Sequence, residues 1–258
     1  MGAGAARAGG RALVLAAVLA VALTGCTADR VPGAAGPAPS ATGTSRSPSS
    51  SPSAGAGHGA YPAWSATARG TSVAVRSAPD GRVSQTLASP RPSGAPLTLL
   101  VVQQQQEWLQ VLLPVRPNGS TGWVARADVR LAGLRYRLDV RRSAHRLDLY
   151  DRDRLLRSYP IGVGARATPT PGGRYYLTEL LAVPNPRGPY GPFAYGLSGR
   201  STTLRTFRGA DAVVGLHGTD DPASIGRDVS HGCIRLRNAD ITALARRLPL
   251  GTPVRVLA

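Results

Sequence analysis

Short apolar segments separated by polar turns run through residues 66–132. Apolar side chains alternate with other residues at Val73 and Val75 and again over 108–112, whereas 97–102 is a continuous apolar run. Alternation with a period of two predicts strands buried on one face, and a short continuous run predicts a strand buried on both. Turns are predicted at 79–81, at 103–106 and at Asn118-Gly119. Many short strands in so few residues predict a small β-barrel.

A second group of predicted strands covers residues 134–258. These strands are predicted at 136–140, 147–150, 155–163, 175–181, 203–207, 212–216 and 253–257. Residues 239–248 predict one helix, because apolar residues recur at i, i+3, i+4 and i+7 from Ile241. Asn238 is the expected N-cap of that helix. The region is therefore predicted to be mainly β, with one helix packed on the sheet.

Residues 1–25 have the pattern of an export signal, with two arginines before an unbroken apolar run over 12–23. As a helix this run is roughly 18 Å long, too short for a hydrocarbon core of about 30 Å, so it predicts a secretory signal. The run ends in Leu23-Thr24-Gly25-Cys26, which resembles a bacterial lipobox. The resemblance implies diacylation of Cys26. An ordinary signal peptide with an incidental cysteine is the alternative.

Residues 26–61 consist almost entirely of Ala, Gly, Pro, Ser and Thr, without apolar periodicity. This composition predicts a disordered tether. The predicted organisation is therefore a lipoprotein signal at 1–25, a tether at 26–61, a barrel at 66–132 and a second β domain at 134–258. The lipid on Cys26 would hold the protein to the outer face of the membrane, at the cell wall.

Basic side chains outnumber acidic ones by 31 to 14, and all of them are arginine. A positive surface favours anionic partners such as nucleic acid, lipid head groups or wall polymers. The alternative is the coding bias of a GC-rich genome. The sequence contains no basic motif interleaved with aromatic residues, so nucleic acid is not an expected partner. The absence of lysine excludes Schiff-base and Ser-Lys mechanisms.

Two short motifs, His217-Gly218-Thr219 and Ser230-His231-Gly232-Cys233, carry the most chemistry. A cysteine thiolate is a nucleophile, and a nearby histidine can take the thiol proton and later protonate a leaving amine. His217 follows an apolar strand, which gives it a rigid mount. Gly232 leaves room for a substrate, and its turn could aim backbone N–H groups at one point, as an oxyanion hole requires.

The same residues have alternative interpretations. A lone cysteine is often a small buried apolar residue, and a histidine before glycine is often a turn residue. His217, His231 and Cys233 could also bind a metal ion. An aspartate could complete that site: Asp220, Asp221 or Asp228. Only one residue separates His231 from Cys233, which makes the chelate awkward, and no metal is expected.

Residues 217–236, HGTDDPASIGRDVSHGCIRL, resemble the active-site signature of the L,D-transpeptidase catalytic domain, and the resemblance extends over about 134–258. It implies a β-sandwich and a cysteine acyltransferase that acts on peptidoglycan without a cofactor. Cys233 would attack the third residue of a donor stem peptide, a diamino acid, and expel the terminal D-Ala. The amine of an acceptor stem would then take the thioester, forming a 3→3 cross-link. His217 would be the base, oriented by the backbone carbonyl of Gly218.

The resemblance also implies roles for neighbouring residues. The N–H groups of Gly232 and Cys233 would form the oxyanion hole, and Ser230 and His231 would line the pocket. Arg235 would contact the donor peptide or its carboxylate; much of the family has Asn there, which leaves the donor contacts open. Further candidates for substrate contact are Thr219, Tyr190 and Tyr195. The two tyrosines, with Phe193, could instead be ordinary anchors of the loop at 184–196.

The runs VAVRSAPDG, EWLQVLLP and TGWV in the first region are similar to bacterial SH3-like domains, which commonly bind cell-wall peptides. A spacer without a ligand is the alternative. The expected function is L,D-transpeptidation, with an L,D-carboxypeptidase that trims tetrapeptide stems and a non-catalytic wall-binding lipoprotein as alternatives. The family resemblance also implies that carbapenems acylate Cys233. No disulfide is expected between Cys26 and Cys233, because a flexible tether separates them.

Overall fold

Seven antiparallel strands form the first sheet of the computed structural model, which describes residues 63–258. The strands are β1 (Ala63–Ala68), β2 (Ser72–Arg76), β3 (Val83–Ala88), β4 (Thr98–Gln105), β5 (Trp108–Leu112), β6 (Thr121–Ala125) and β7 (Val129–Leu134). Their order in the sheet is β3-β2-β6-β5-β4-β1-β7. Alternate side chains such as Val73, Val75, Leu109 and Val111 are fully buried and build its core. The predicted β character is confirmed, and the SH3-like identity of this sheet stays a prediction.

The turn predicted at 103–106 is wrong in its extent. β4 continues to Gln105, and the turn is confined to Gln106 and Glu107. The three glutamines before the turn pair with β5, and their side chains are exposed. Because this end of the hairpin reaches beyond the core, the strand needs no apolar residues there.

Eight strands form the second sheet. They are β8 (Tyr136–Arg141), β9 (Arg146–Asp151), β10 (Arg154–Pro160), β12 (Gly173–Ala182), β13 (Phe193–Arg200), β16 (Val213–His217), β18 (Ile234–Arg235) and β19 (Pro253–Leu257). Two further pairs are β11 (Val163–Gly164) with β17 (Asp228–Ser230) and β14 (Thr206–Phe207) with β15 (Ala210–Asp211). The sheet order is β10-β9-β8-β19-β12-β13-β16-β18, parallel at β8–β19 and β16–β18 and antiparallel elsewhere.

The strand predicted at 203–207 is also wrong. Only Thr206–Phe207 is extended, and it pairs with Ala210–Asp211 in a separate two-stranded hairpin. Its turn is made by Arg208 and Gly209, which both have positive φ. The residues of this hairpin are exposed or half-buried, so they contribute little to the core that a sheet strand would need.

The helix α1 covers Asn238–Ala245, three residues shorter at its C-terminal end than predicted. Ile241, Leu244 and Leu248 are buried as the apolar pattern indicates, although Leu248 lies just beyond the turn that follows the helix. Arg237 is the N-cap residue, without a side-chain hydrogen bond. The expectation that Asn238 caps the helix is therefore wrong, because its side chain has another partner in the site.

The two sheets pack against each other within one compact unit. Tyr176 of β12 is fully buried in the core of the first sheet. At Gly251 an added Cβ would lie 2.6 Å from the Cβ of Ser65, so the backbone after α1 closely approaches β1. No helix within residues 63–258 is long and apolar enough to cross a membrane. The predicted signal, tether and Cys26 lie outside the described residues.

Candidate active site

Cys233 ends a tight turn that connects β17 to β18. The hydroxyl of Ser230 accepts a hydrogen bond from the Gly232 N–H at 3.1 Å and donates one to the Cys233 carbonyl at 2.5 Å. Ser230 is 2% exposed and lies on the pocket wall, as predicted, but its hydroxyl is occupied by these two bonds. Ser230 therefore fixes the shape of the turn that presents the thiol.

Gly232 has a φ of 109°, in the region that favours glycine. An added Cβ would meet only the carbonyl oxygens of Pro169 and Thr168, at 3.6 and 3.7 Å, which is ordinary contact. The backbone conformation, rather than space for a substrate, is what requires glycine here. Because the Gly232 N–H is bound to Ser230, it is engaged in this structure, and the Cys233 N–H becomes the first candidate for an oxyanion donor.

His217 is the last residue of β16 and is only 4% exposed. Its Nδ1 lies 2.6 Å from the backbone carbonyl of Gly218. Because a carbonyl oxygen can only accept, Nδ1 carries the proton in the neutral ring, and Nε2 keeps its lone pair. The ring is thus held in the tautomer that a base with Nε2 as its acceptor requires.

The Cys233 thiol and the His217 ring both lie beside Gly215, in the middle of β16. A Cβ added to Gly215 would lie 3.5 Å from both the Cys233 Sγ and the His217 Cδ2, the ring atom bonded to Nε2. The two atoms are therefore no farther apart than twice that distance. The Gly215 N–H also donates to Sγ at 3.3 Å, which anchors the sulfur. The parallel pairing of β16 with β18 brings the two residues together across the sheet.

Burial controls the protonation of this pair. It lowers the pKa of His217 to about 4; the bond to Gly218 opposes this shift and the charge of Arg235 adds to it. Burial also raises the pKa of Cys233, against the Gly215 N–H and the charge of Arg235. The thiol keeps a partly exposed face on the pocket. At neutral pH the resting site therefore holds a neutral thiol beside a neutral imidazole.

A cavity of about 170 Å³ opens in front of Cys233 and His217. Tyr190 and His231 lie in its wall, and their contact with a substrate stays a prediction. The ring of Tyr190 meets the His217 ring edge to face, with centroids 4.9 Å apart and an interplanar angle of 61°. This contact restricts the imidazole and gives the pocket an aromatic face.

Residues 201–212, here called the pocket flap, form another part of the cavity wall. Five of them line the cavity: Ser201, Leu204, Phe207, Arg208 and Ala212. The Phe207 ring lies 5.4 Å from that of His231, centroid to centroid. The apolar pattern of the sequence assigned part of this segment to the sheet and so missed its place at the site. The Arg208-Gly209 pair was the available signal of a turn.

Arg235 lies on β18 and lines the pocket, and its contact with the donor peptide stays a prediction. Its Nη1 lies 3.8 Å from Asp221 Oδ2, and its buried Nε has no hydrogen-bond partner among the described residues. Buried donors normally find acceptors. The guanidinium therefore offers unused donors to an anionic group in the cavity.

Two predicted substrate contacts lie elsewhere. Thr219 is 4% exposed and absent from the pocket wall; its hydroxyl accepts the Asp221 N–H at 3.1 Å and shapes the turn after His217. Tyr195 is 1% exposed in the core, and its hydroxyl donates to the Leu248 and Leu244 carbonyls at 3.0 and 3.3 Å. Tyr195 is thus an anchor, the alternative that the sequence left open.

Asn238 is a site residue that the sequence analysis assigned to the helix. Its Oδ1 accepts the Thr219 N–H at 2.9 Å. An added Cβ at either Gly191 or Gly218 would lie 2.2 Å from the same oxygen, so glycine is required at both positions. The Asn238 side chain therefore holds the turn after His217. In this turn the Gly218 carbonyl orients the His217 ring.

No three His, Cys, Asp or Glu side chains within residues 63–258 are arranged to hold a metal ion. The grouping of His217, His231 and Cys233 with an aspartate is not formed there. Outside the cavity, His145 Nε2 lies 2.8 Å from Asp228 Oδ1.

Comparison with known proteins agrees with this geometry. Residues 135–256 match the family model of the L,D-transpeptidase catalytic domain, YkuD. The chain is 38% identical over 154 residues to the protein named L,D-transpeptidase YkuD in Bacillus licheniformis, covering 57% of this chain and 85% of that one. It is 35% identical over 151 residues to its Bacillus subtilis namesake, covering 56% and 84%. An L,D-transpeptidase structure from Mycobacterium smegmatis aligns with a TM-score of 0.39 and 18% identity over 69% of this chain and 89% of that one. The chain therefore belongs to the L,D-transpeptidase family of cysteine acyltransferases.

Proposed function

We propose that this protein forms 3→3 cross-links in peptidoglycan through an acyl-enzyme on Cys233. The observation that carries the proposal is that Cys233 and His217 line one cavity on either side of the same point above Gly215, with His217 Nδ1 bonded to the Gly218 carbonyl. A buried thiol without such a base would be chemically inert. The pair is arranged for nucleophilic acyl transfer.

In the first step, Nε2 of His217 takes the thiol proton as Sγ attacks the carbonyl of the third residue of a donor stem. The electron pair of the carbonyl moves onto its oxygen, near the Cys233 N–H. The Gly232 N–H joins that donor if it exchanges its bond with Ser230. As the carbonyl re-forms, the C–N bond to the terminal D-Ala breaks, and the imidazolium returns its proton to the leaving amine. A thioester remains on Cys233.

In the second step, the side-chain amine of an acceptor stem attacks the thioester. Neutral His217 takes a proton from that amine and delivers it to the departing sulfur, which restores the thiol. If water takes the place of the amine, the product is a tripeptide, and the enzyme is an L,D-carboxypeptidase. The two activities therefore differ only in which nucleophile enters the second half of the reaction.

Arg235 is the proposed partner for the carboxylate of the departing D-Ala. Its buried Nε without an acceptor and its place in the pocket support this role. Tyr190 and His231 are proposed to pack on the stem peptide on either side of the thiol. The same open route to Cys233 supports acylation of the thiol by carbapenems.

The proposed location is outside the cytoplasm, with Cys26 acylated and residues 26–61 as a tether to the wall. The basis is the sequence alone: the lipobox-like end of the apolar run and the composition of the tether. The first sheet is proposed to be an SH3-like module for wall peptides. Substitution Cys26→Ser should release the protein from the membrane fraction of the expressing bacterium, whereas retention there would contradict lipid anchoring.

The test of the activity is incubation of the purified protein with tetrapeptide muropeptides, followed by mass spectrometry of the products. We expect dimers with 3→3 links and free D-Ala. Tripeptides without dimers would identify the carboxypeptidase instead. Absence of both products with intact, folded protein would contradict the proposed function.

A further inference from the structure

The pocket flap is held from outside its own sheet. Arg116, in the loop between β5 and β6 of the first sheet, donates from Nη1 to the Ser201 carbonyl at 2.6 Å. Its Nη2 donates to the Leu204 carbonyl at 3.0 Å. Ser201 and Leu204 both line the cavity in front of Cys233. One side chain of the first sheet therefore fixes two backbone positions in the wall of the active site.

Asn118, two residues further along the same loop, makes a second attachment at the start of the flap. Its Nδ2 donates to the Arg200 carbonyl, and its Oδ1 accepts the Arg200 N–H, both at 2.8 Å. A side-chain amide that bonds both groups of one residue mimics the pairing of a neighbouring strand. The end of β13, from which the flap leaves, is thus tied to the first sheet.

A side chain of the second sheet, Arg200, also donates to the backbone of the first-sheet region. The Arg200 side chain is 9% exposed, and its Nη2 donates to the Pro114 carbonyl of the first sheet at 2.7 Å. Arg200 and Arg116 share the carboxylate of Asp211 near the other end of the flap. The shared carboxylate offsets the repulsion between the two guanidinium groups, and charge-assisted bonds of this kind are stronger than neutral ones.

We propose that Arg116 and Asn118 are positioning residues for acyl transfer, through which the first sheet sets the place of the flap over the thiol. The identity of the substrate in this proposal rests on the proposed function, whereas the coupling of the two sheets through the flap does not. The first sheet is then part of the enzyme's catalytic architecture, whatever it binds. Misplacing a pocket wall by about 1 Å can lower the rate of a positioned reaction strongly.

The test compares Arg116→Ala with Arg126→Ala in the purified protein. Arg126 is a matched control, since it lies in the turn between β6 and β7 and its side chain donates to the Gln106 carbonyl and the Gln104 side chain, away from the flap. Arg116→Ala should speed trypsin cleavage after the exposed flap residues Arg205 and Arg208 and alkylation of Cys233 by iodoacetamide. It should raise the KM for a tetrapeptide donor about tenfold, with a smaller change in kcat. Arg126→Ala should leave all three at wild-type values.

Arg116→Lys retains the charge but replaces the planar fork with a single ammonium, so it should give intermediate values. Asn118→Ala repeats the test at the second attachment if Arg116→Ala does not fold. Flap cleavage and thiol alkylation equal to the Arg126→Ala control in every folded variant would overturn the proposal. These two readouts do not need turnover, so they decide the coupling even if the wild-type protein fails to cross-link stem peptides.

Discussion

At the scale of single residues, Cys233 is a neutral thiol in the resting site. Burial disfavours both the imidazolium of His217 and the thiolate of Cys233, so an ion pair is not the resting state. The Gly218 carbonyl leaves Nε2 free to accept the proton. The proton therefore moves during attack on the substrate, and the nucleophile is formed only where it is used.

The pH dependence of kcat/KM should report this arrangement. The base works only when unprotonated, and its pKa is lowered from 6.5 to about 4. The rate should therefore stay level as the pH falls through 6.5 and decline only towards about pH 4. The measurement is kcat/KM for a tetrapeptide donor from pH 3.5 to 9, with folding checked at each pH. An acid limb between pH 6 and 7 would show that His217 titrates as an exposed imidazole.

Replacing Asn238 should perturb the turn that orients His217. Asn238→Ala leaves the Thr219 N–H without its acceptor, in a buried turn, at a cost of about 1–3 kcal/mol in unfolding free energy. The Gly218 carbonyl then loses support, and kcat/KM should fall about tenfold. Asn238→Asp keeps an acceptor oxygen and is the control, with thermal unfolding and kcat/KM measured for both. Wild-type stability and rate in Asn238→Ala would contradict the role.

The residues next to the thiol could be predicted from the sequence, but their individual duties could not. One contiguous signature contains Cys233, His217 and Gly218, so their chemistry could be predicted before the fold was known. Thr219 belongs to the same signature, yet its hydroxyl is turned into its own loop. Side-chain direction depends on the contacts made after folding, and one sequence does not contain that information.

At the scale of elements, Tyr195 joins β13 to the end of α1. Its hydroxyl donates to carbonyls in the last turn of the helix and just beyond it. The Leu244 carbonyl also accepts the Arg247 and Leu248 N–H groups, at 3.0 and 2.9 Å. The Tyr195 hydroxyl therefore seats the end of the helix on the sheet beside the site.

Tyr195→Phe should remove that bond and little else. We expect a loss of about 1 kcal/mol in unfolding free energy, with kcat/KM unchanged. Tyr190→Ala is the reciprocal control, because it removes the ring against His217 and should lower kcat/KM more than stability. Chemical denaturation and donor kinetics check both variants. A large rise in KM for Tyr195→Phe would instead show that Tyr195 contacts the substrate.

Sequence periodicity predicted the strands and the helix that build the cores, and it failed for the pocket flap. Apolar alternation reports burial against a sheet, whereas most flap residues are exposed and only Ser201 and Ala212 of the flap are buried. The helix was predicted too long because Leu248 is buried although it lies beyond the end of the helix. The burial of Leu248 was predicted correctly, whereas its helical backbone conformation was not.

At the scale of the whole molecule, the two sheets should unfold together. Tyr176 of the second sheet is buried in the first core, and the attachments of Arg116, Asn118 and Arg200 cross the same junction. All three tryptophans lie in the first sheet, whereas the Cys233 thiol reports on the second. Tryptophan fluorescence and thiol reactivity should therefore give coincident unfolding curves. Two separated transitions would contradict a single cooperative unit.

Substitutions at Tyr176 should shift both curves equally. Tyr176→Ala should cost about 3–5 kcal/mol, as for other large buried rings. Tyr176→Phe should be neutral or stabilising, because the buried hydroxyl has no hydrogen-bond partner within the described residues. The sequence predicted two adjacent β regions but not this junction, since alternation shows that a face is buried and not what covers it.

Intact-protein mass spectrometry during turnover tests the central claim most directly. Wild-type protein mixed with a tetrapeptide donor and no acceptor should gain the mass of the donor acyl group, the donor without its terminal D-Ala, as a thioester on Cys233. Cys233→Ala should gain nothing and form no product. An adduct that persists in Cys233→Ala, or turnover by that variant, would contradict the assignment of Cys233 as the nucleophile.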